Sequence, residues 1–230
     1  MANDDKRDDA HAPGGDLRSF GRRRGRKPSE RQARLLADVL PRVGVDLSSL
    51  KVGGQSELWL EIGFGGGEHL VWQARANRHV GFIGSEPFED GIIKVLDEIE
   101  RDGLENIRIH GDDVRPLIRV LPDASIGRVF ILYPDPWPKR RHQKRRLVQA
   151  SLVAELARVM QPGAELRIAT DIGDYARTAL IALCGNPHLV WAAAGPADWR
   201  VRPVDWPETR YEQKARREGR RSYYLRFLRL

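Results

Sequence analysis

Short apolar runs and stretches of helical spacing alternate along most of this chain. Leu58–Ile62, His79–Ser85, Asn106–His110, Arg128–Leu132 and Glu165–Ala169 have the length and the β-branched or aromatic content of buried strands. Between them lie helical stretches: about Glu68 to Ala76, then Ile92, Ile93, Leu96 and Ile99 stopped by Gly103, then Leu147, Leu152, Leu156 and Met160, then Tyr175 to Leu183. Pro162-Gly163 reads as the turn into the fifth strand. Ahead of the first strand, Ser29 to Leu40 is spaced as a short amphipathic helix, with Ser29 as its N-cap and Pro41 just past its end. Beyond Asn186 the pattern breaks into short strands and turns with Trp191, Trp199 and Trp206 among prolines, until Ser222 to Leu230 alternates as a final strand would. There is no internal repeat. Strands alternating with helices predict a mostly parallel open sheet covered on both faces.

The polar residues that close the strands keep phase with that pattern. Glu61, Glu86, Asp112 and Asp135 stand at or just beyond the carboxyl ends of four successive strands, the edge at which open α/β sheets bind ligands. Gly63-Phe-Gly-Gly-Gly67 follows the first strand, where a side chain would stop the backbone approaching a bound nucleotide or amino acid. Position 68 is Glu, which spoils the dinucleotide fingerprint. Glu86, 19 residues after Gly67, is placed to accept from two ribose hydroxyls. Asp112 is placed to accept from an adenine amino group, with a helix cap as the alternative, and Asp113 is read as the cap. Asp171, after Thr170, fits a ligand and a cap equally well. Thr209-Arg-Tyr-Glu212 satisfies the capping-box pattern.

Charge adds a partner to this picture. The 230 residues carry 39 Lys and Arg against 32 Asp and Glu, a net +7. Leu17–Arg34 holds +7, Lys139–Arg146 +6 and Arg210–Arg229 +6, together +19, so the rest of the chain is at −12. An acidic body with three basic patches is the footprint of a nucleic-acid binder. Residues 1–28 are expected to be a disordered basic tail, polar to Asp16 and Arg-rich beyond it, and residues 29–230 one α/β domain. A single cysteine, Cys184, precludes an internal disulfide or a cysteine metal cluster, so no metal is expected. No apolar run approaches a membrane span and the first residues are too polar for a signal peptide, which points to the cytoplasm. A monomer and a homodimer are both compatible with the pattern.

The two themes meet in Tyr133-Pro-Asp-Pro-Trp-Pro-Lys-Arg-Arg-His-Gln-Lys-Arg-Arg146. Its prolines end the strand ladder, setting Asp135 at the strand's carboxyl end. Six of the eight residues from Lys139 are Lys or Arg. A carboxylate and an aromatic ring beside such a run suit a nucleobase held in place while its phosphates are gripped nearby.

From Arg18 to the C-terminus the chain resembles the bacterial tRNA (guanine-N7)-methyltransferases. The resemblance is carried by Arg18-Ser-Phe-Gly-Arg-Arg-Arg-Gly-Arg, Leu60-Glu-Ile-Gly-Phe-Gly-Gly-Gly-Glu68, Pro134 to Arg146, Thr170-Asp171 and Thr209-Arg-Tyr-Glu-Gln213. The glycine motif is shared with many methyltransferases, and the Asp-Pro-Trp segment with its basic tail narrows the choice. The resemblance implies a class I methyltransferase fold, a Rossmann-like seven-stranded, mostly parallel sheet with an antiparallel final strand. It implies that Glu61, Gly63, Gly65, Glu86, Asp112 and Asp135 line an S-adenosylmethionine pocket, with Asp135 catalytic. It further implies that Lys139, Asp171, Thr209, Arg210, Tyr211 and Glu212 face the guanine or nearby tRNA, and that the target is a variable-loop guanosine, position 46, converted to 7-methylguanosine. Pro87-Phe88 departs from the family pattern and is expected to touch no part of the site. A nicotinamide-dependent oxidoreductase would share the glycine loop and Glu86 but needs no basic patches. A non-catalytic RNA-binding module explains the patches but not carboxylates in phase with strand ends.

Overall fold

The computed structural model of the chain describes Arg23, Gly25, residues 27–50 and residues 56–230. The expected disordered tail, residues 1–28, lies almost wholly outside the described residues. Among the described residues, seven strands form one sheet: β1 (Glu57–Ile62), β2 (Val80–Ser85), β3 (Ile107–His110), β4 (Ile126–Leu132), β5 (Met160–Thr170), β6 (Leu189–Trp191) and β7 (Tyr223–Arg229). Their order is β3-β2-β1-β4-β5-β7-β6. The first five run parallel, and β7 lies antiparallel between β5 and β6. The helices are α1 (Glu30–Arg34), α2 (Leu40–Val43), α3 (Glu68–Ala76), α4 (Glu89–Asp102), α5 (Val114–Val120), α6 (Ala150–Val159), α7 (Gly173–Cys184), α8 (Ala197–Arg200) and α9 (Arg210–Arg217).

Two-residue alternation along the strands builds a core on each face. Leu60 and Ile62 of β1, Val129 and Ile131 of β4, and Leu166 and Ile168 of β5 pack against α5, α6 and α7. Trp59, Phe82, Phe130 and Ala169 point to the opposite face, onto the segment from Leu35 to Val43 and onto α3 and α4. Phe130, fully buried, touches Trp59 and His69 at ring-centroid distances of 5.9 and 4.5 Å. The strand order reverses between β1 and β4, and at such a switch point the loops after the strands diverge and leave a crevice.

Two boundaries differ from the sequence reading. Ser29 caps α1 in a full capping box with Gln32, but Pro41 lies inside the helical segment. A π turn at Leu35–Val39 separates α1 from α2, and Leu40 donates back to the Leu35 carbonyl, five residues earlier. That wider turn relieves the clash between a proline ring and the preceding helical turn. The fifth strand begins at Met160, so Met160 is not helical and Pro162-Gly163 sit within β5. Pro162 and Gly163 are exposed, beside the register shift between Ile126 and Arg128 on β4, where a missing N–H and a positive φ are tolerated.

Candidate active site

A cleft of about 480 Å³ opens at the switch point. Each wall is a segment that leaves a strand: Gly63 and Gly65 after β1, Glu86 to Phe88 after β2, Asp112 to Arg115 after β3, and Tyr133, Pro134, Asp135 and Trp137 after β4. Arg210 and Tyr211 of α9 close it from the other side.

Backbone geometry explains the glycines. Gly65 has φ +55°, and a Cβ there would lie 3.2 Å from the Tyr211 hydroxyl, so the glycine lets α9 settle on the loop. Gly67, at φ +79°, is the N-cap of α3, and a Cβ on it would overlap Val95 of α4. The loop is tied to its neighbour: Gly63 N–H donates to the Ser85 carbonyl (2.7 Å) and Gly65 N–H to Glu86 Oε2 (2.8 Å). The other oxygen of Glu86 accepts from Phe88 N–H at 3.0 Å. Burial pushes the Glu86 carboxyl up from its ordinary value; those two N–H bonds oppose the shift, and the charges of Asp135 and Glu61 add to it. Asp112 is half-exposed and accepts from Asp113 N–H (2.7 Å) and from Arg23 Nη2 (2.6 Å). Partial burial pushes Asp112 up, but the Asp113 N–H and the Arg23 guanidinium outweigh it and hold the carboxyl below its ordinary value. Asp113 caps α5 by accepting from Arg115 N–H.

Asp135 is exposed to the cleft and makes no hydrogen bond or ion pair among the described residues. Its backbone is held from both sides. Tyr133 (φ +50°) and Trp137 (φ +41°) occupy the left-handed region, a conformation costing about 1–3 kcal/mol in a non-glycine residue. Tyr133 N–H donates to the Ala169 carbonyl (2.7 Å) and its hydroxyl to Ser222 Oγ (2.9 Å). Burial pushes the Tyr133 phenol far above its ordinary value, so it stays protonated. Its ring lies nearly parallel to that of Tyr211, centroids 6.3 Å apart. Trp137 packs against His142 and Arg145 from the basic run that follows.

The remaining site residues fall into place unevenly. Glu61 is outside the cleft: still paired within β1, it shares the sheet face of Trp59 and accepts from His69 Nδ1 at 2.7 Å. Lys139 is exposed on the rim, as the residue before a 3₁₀ helix at Arg140–Arg145. Asp171 neither caps α7, whose N-cap is Ile172, nor reaches the cleft; it holds Arg220 Nε at 2.6 Å. Thr209 caps α9 by accepting from Glu212 N–H. The box stays incomplete, because Glu212 Oε1 takes the Tyr224 hydroxyl (2.7 Å) and Arg202 Nε (3.1 Å) instead. Arg210 pairs with Glu68 at 3.4 Å. Two expectations are corrected. Pro87 and Phe88 line the cleft, because the turn into α4 folds over its wall. Arg146 is 3% exposed and bound to the Pro136 carbonyl (3.0 Å), Thr178 Oγ1 (2.9 Å) and Asp174 Oδ2 (2.5 Å), so it braces the Asp-Pro-Trp turn and is closed to a polyanion. Tyr133, Arg115, Arg145 and Leu147 also reach the cleft. Tyr133 and Arg145 belong to the stretch that the sequence singled out, whereas Arg115 and Leu147 carried no signal of a site.

A glycine loop, a buried carboxylate after β2 and a second one after β3 suit a nucleoside carried on an amino-acid tail, and nothing in the loop is arranged for a pyrophosphate. Among the described residues no cluster of three or more metal-ligating side chains occurs. Solved methyltransferases share the architecture. An antibiotic-resistance methyltransferase, Kmr, superposes with a TM-score of 0.52 at 16% identity, covering 84% of this chain and 92% of its own. A SAM-dependent O-methyltransferase from Thermotoga maritima gives 0.50 at 15% identity, covering 88% and 72%. Strand order and helix placement thus define the class I methyltransferase fold. Residues 55–225 match the family model of a putative methyltransferase. The tRNA (guanine-N(7)-)-methyltransferase of Rhodospirillum rubrum is 46% identical, with 94% of this chain and 89% of the relative aligned. That of Ruegeria pomeroyi is 53% identical over 81% and 77%. The chain belongs to the tRNA (guanine-N(7)-)-methyltransferase family.

Proposed function

We propose that this protein transfers a methyl group from S-adenosylmethionine to N7 of a guanosine in tRNA, the variable-loop guanosine at position 46, giving 7-methylguanosine. The observation that carries the chemistry is Asp135, a carboxylate with no hydrogen-bond or ion-pair partner among the described residues, set between the left-handed Tyr133 and Trp137 in a cleft at the sheet's switch point, beside an exposed basic run. Family membership supports the substrate class.

Gly63 and Gly65 would hold the amino-acid end of the cofactor, Glu86 its ribose hydroxyls and Asp112 its adenine amino group, which requires Asp112 to exchange Arg23 for the base. Bound there, S-adenosylmethionine supplies an electrophilic methyl carbon. Guanine N7 carries a lone pair and no proton, so the chain need not supply a general base. Its contributions are alignment and electrostatics. Positive charge develops on the guanine ring as N7 is alkylated, and a carboxylate beside that ring favours it. Asp135 also accepts from the guanine N1–H and amino hydrogens, orienting the base. Tyr211 and Tyr133 offer it aromatic faces, and Trp137 shapes the wall. Lys139 with exposed Arg140, Arg141 and Lys144 grips the backbone phosphates. Arg210 and Tyr211, at the start of the helix capped by Thr209, close the substrate side, with Glu212 and Asp171 behind them. No described helix is long and apolar enough to cross a membrane, consistent with the cytoplasmic location expected for a tRNA-modifying enzyme.

The test is incubation of unmodified tRNA with methyl-labelled cofactor followed by digestion to nucleosides. Label in 7-methylguanosine is expected. Label in another nucleoside, or none, overturns the reading.

A further inference from the structure

The third basic stretch, which the proposed chemistry leaves unused, builds a second pocket at the carboxyl end of α9. It encloses about 350 Å³, and its walls include Arg200, Arg216, Arg220 and Arg221. Among the described residues that line it Glu212 is the one acid, and Glu212 Oε1 is already taken by the Tyr224 hydroxyl and Arg202 Nε. Arg216 has Glu208 Oε1 at 2.7 Å, and Arg220 has Asp171 at 2.6 Å and Glu218. Arg221 is exposed and makes no hydrogen bond or ion pair among the described residues, and Arg200 meets no carboxylate there. Two guanidinium charges thus border one space uncompensated, an arrangement that repels itself until an anion enters.

Local structure brings these arginines together. Gly219, at φ +70°, ends α9 in a Schellman turn: its N–H donates to the Arg216 carbonyl (3.0 Å), and Arg220 N–H to the Ala215 carbonyl (2.8 Å). The turn sets Arg220 and Arg221 close to Arg216 on the way into β7. From the other side, Trp199 stacks on Tyr223 with centroids 6.0 Å apart, and the Arg200 guanidinium lies over the Trp199 ring at 4.3 Å. With those ring faces in use, guanidinium charge is what the pocket offers a ligand. A guanidinium held by a ring or a carboxylate has given up freedom before the ligand arrives, and its planar fork matches two phosphate oxygens. One hydrogen bond joins the pocket to the cleft: the Tyr133 hydroxyl, on the cleft wall, donates to Ser222, which lines the pocket. Along α9, Arg216 stands about 9 Å of helix axis beyond Arg210.

We propose that Arg200, Arg216, Arg220 and Arg221 form a subsite for a backbone phosphate of the tRNA strand whose guanosine enters the cleft. The identity of the RNA rests on the function proposed above. Arg221→Gln should weaken binding of unmodified tRNA about tenfold, as loss of a charge-assisted bond implies, and lower the slope of log affinity against log salt by roughly 0.7–0.9. Adding Arg200→Gln should carry both effects further, and Arg221→Gln alone decides if the double variant does not fold. Cofactor Kd, from titration calorimetry, and the single-turnover rate at saturating tRNA should stay within about twofold, because neither residue lines the cleft. Arg78→Gln removes one exposed charge just ahead of β2, at the opposite edge of the sheet, and should keep the parental affinity and slope. Parental affinity and slope in the double variant of a protein that methylates guanine N7 of tRNA would overturn the subsite and leave the function standing. An equal loss in Arg78→Gln would reduce the effect to overall charge and overturn it as well. Inorganic phosphate bound by the parental protein but not by the double variant, with the same tRNA affinity in both, would make the pocket a site for a free anion and overturn the RNA assignment. Weakened tRNA binding by the variants of an enzyme that places the methyl group elsewhere than guanine N7 would uphold the subsite and refute the target instead.

Discussion

Burial at the end of β2 gives Glu86 two properties that experiment can separate. As acceptor for two ribose hydroxyls it contributes charge-assisted bonds of roughly 1.5–3 kcal/mol each, so Glu86→Ala should weaken cofactor binding by at least about tenfold in calorimetric titration. Unchanged affinity in the folded variant would refute the ribose role. Burial also raises its pKa, and only the ionised form accepts from both hydroxyls. Affinity should therefore be full above the raised value and fall as pH drops through it, starting at higher pH than an ordinary glutamate would, and Glu86→Gln should abolish that step. The same shift has an opposite sign for stability. The folded state holds the proton more tightly than the unfolded chain, so stability is lost as pH rises from the unfolded to the folded value. A Glu86→Gln variant should lack that loss in chemical denaturation followed against pH.

At the scale of elements, the run from Lys139 to Arg146 divides in two. Replacing Lys139, Arg140, Arg141 and Lys144 by Ala should weaken tRNA binding and reduce the slope of log affinity against log salt by roughly 0.7–0.9 per lost phosphate contact, leaving the denaturation midpoint near the parental value. Arg146→Ala should do the reverse, costing about 1–3 kcal/mol in chemical denaturation because it leaves the Pro136 carbonyl and the Thr178 hydroxyl without their donor. Equal salt slopes in the first variant would remove the run from the RNA interface. Nothing in the sequence distinguishes Arg146 from its neighbours; its burial depends on how α7 packs beneath the turn. The strands were legible because each apolar run stops at glycine, proline or an acid, and the same punctuation located the cleft. The face taken by Glu61 was half-legible, since it stands between Leu60 and Ile62 in a strand and so must point opposite to them. His69, on the next helix, was the unread sign of its partner. The π turn ahead of Pro41, and the fold of Pro87-Phe88 over the cleft, depend on tertiary packing and left no local trace.

In the whole molecule a cleft in an acidic body stands beside basic surfaces suited to an RNA. Among the described residues of the N-terminal stretch, Arg23 pairs with Asp112 at the cleft. Deleting residues 1–28 should weaken tRNA binding and flatten its salt dependence; a parental slope would reduce the segment to a solubilising tail. The claim at the centre is that Asp135 serves the transition state. Asp135→Asn keeps the shape and removes the charge. The direct measurement is single-turnover methyl transfer at saturating tRNA and cofactor, with the product mapped on the tRNA. Transfer to the same guanosine is expected about 30- to 1,000-fold more slowly, equivalent to roughly 2–4 kcal/mol, with tRNA affinity little changed. Transfer at the parental rate would contradict it.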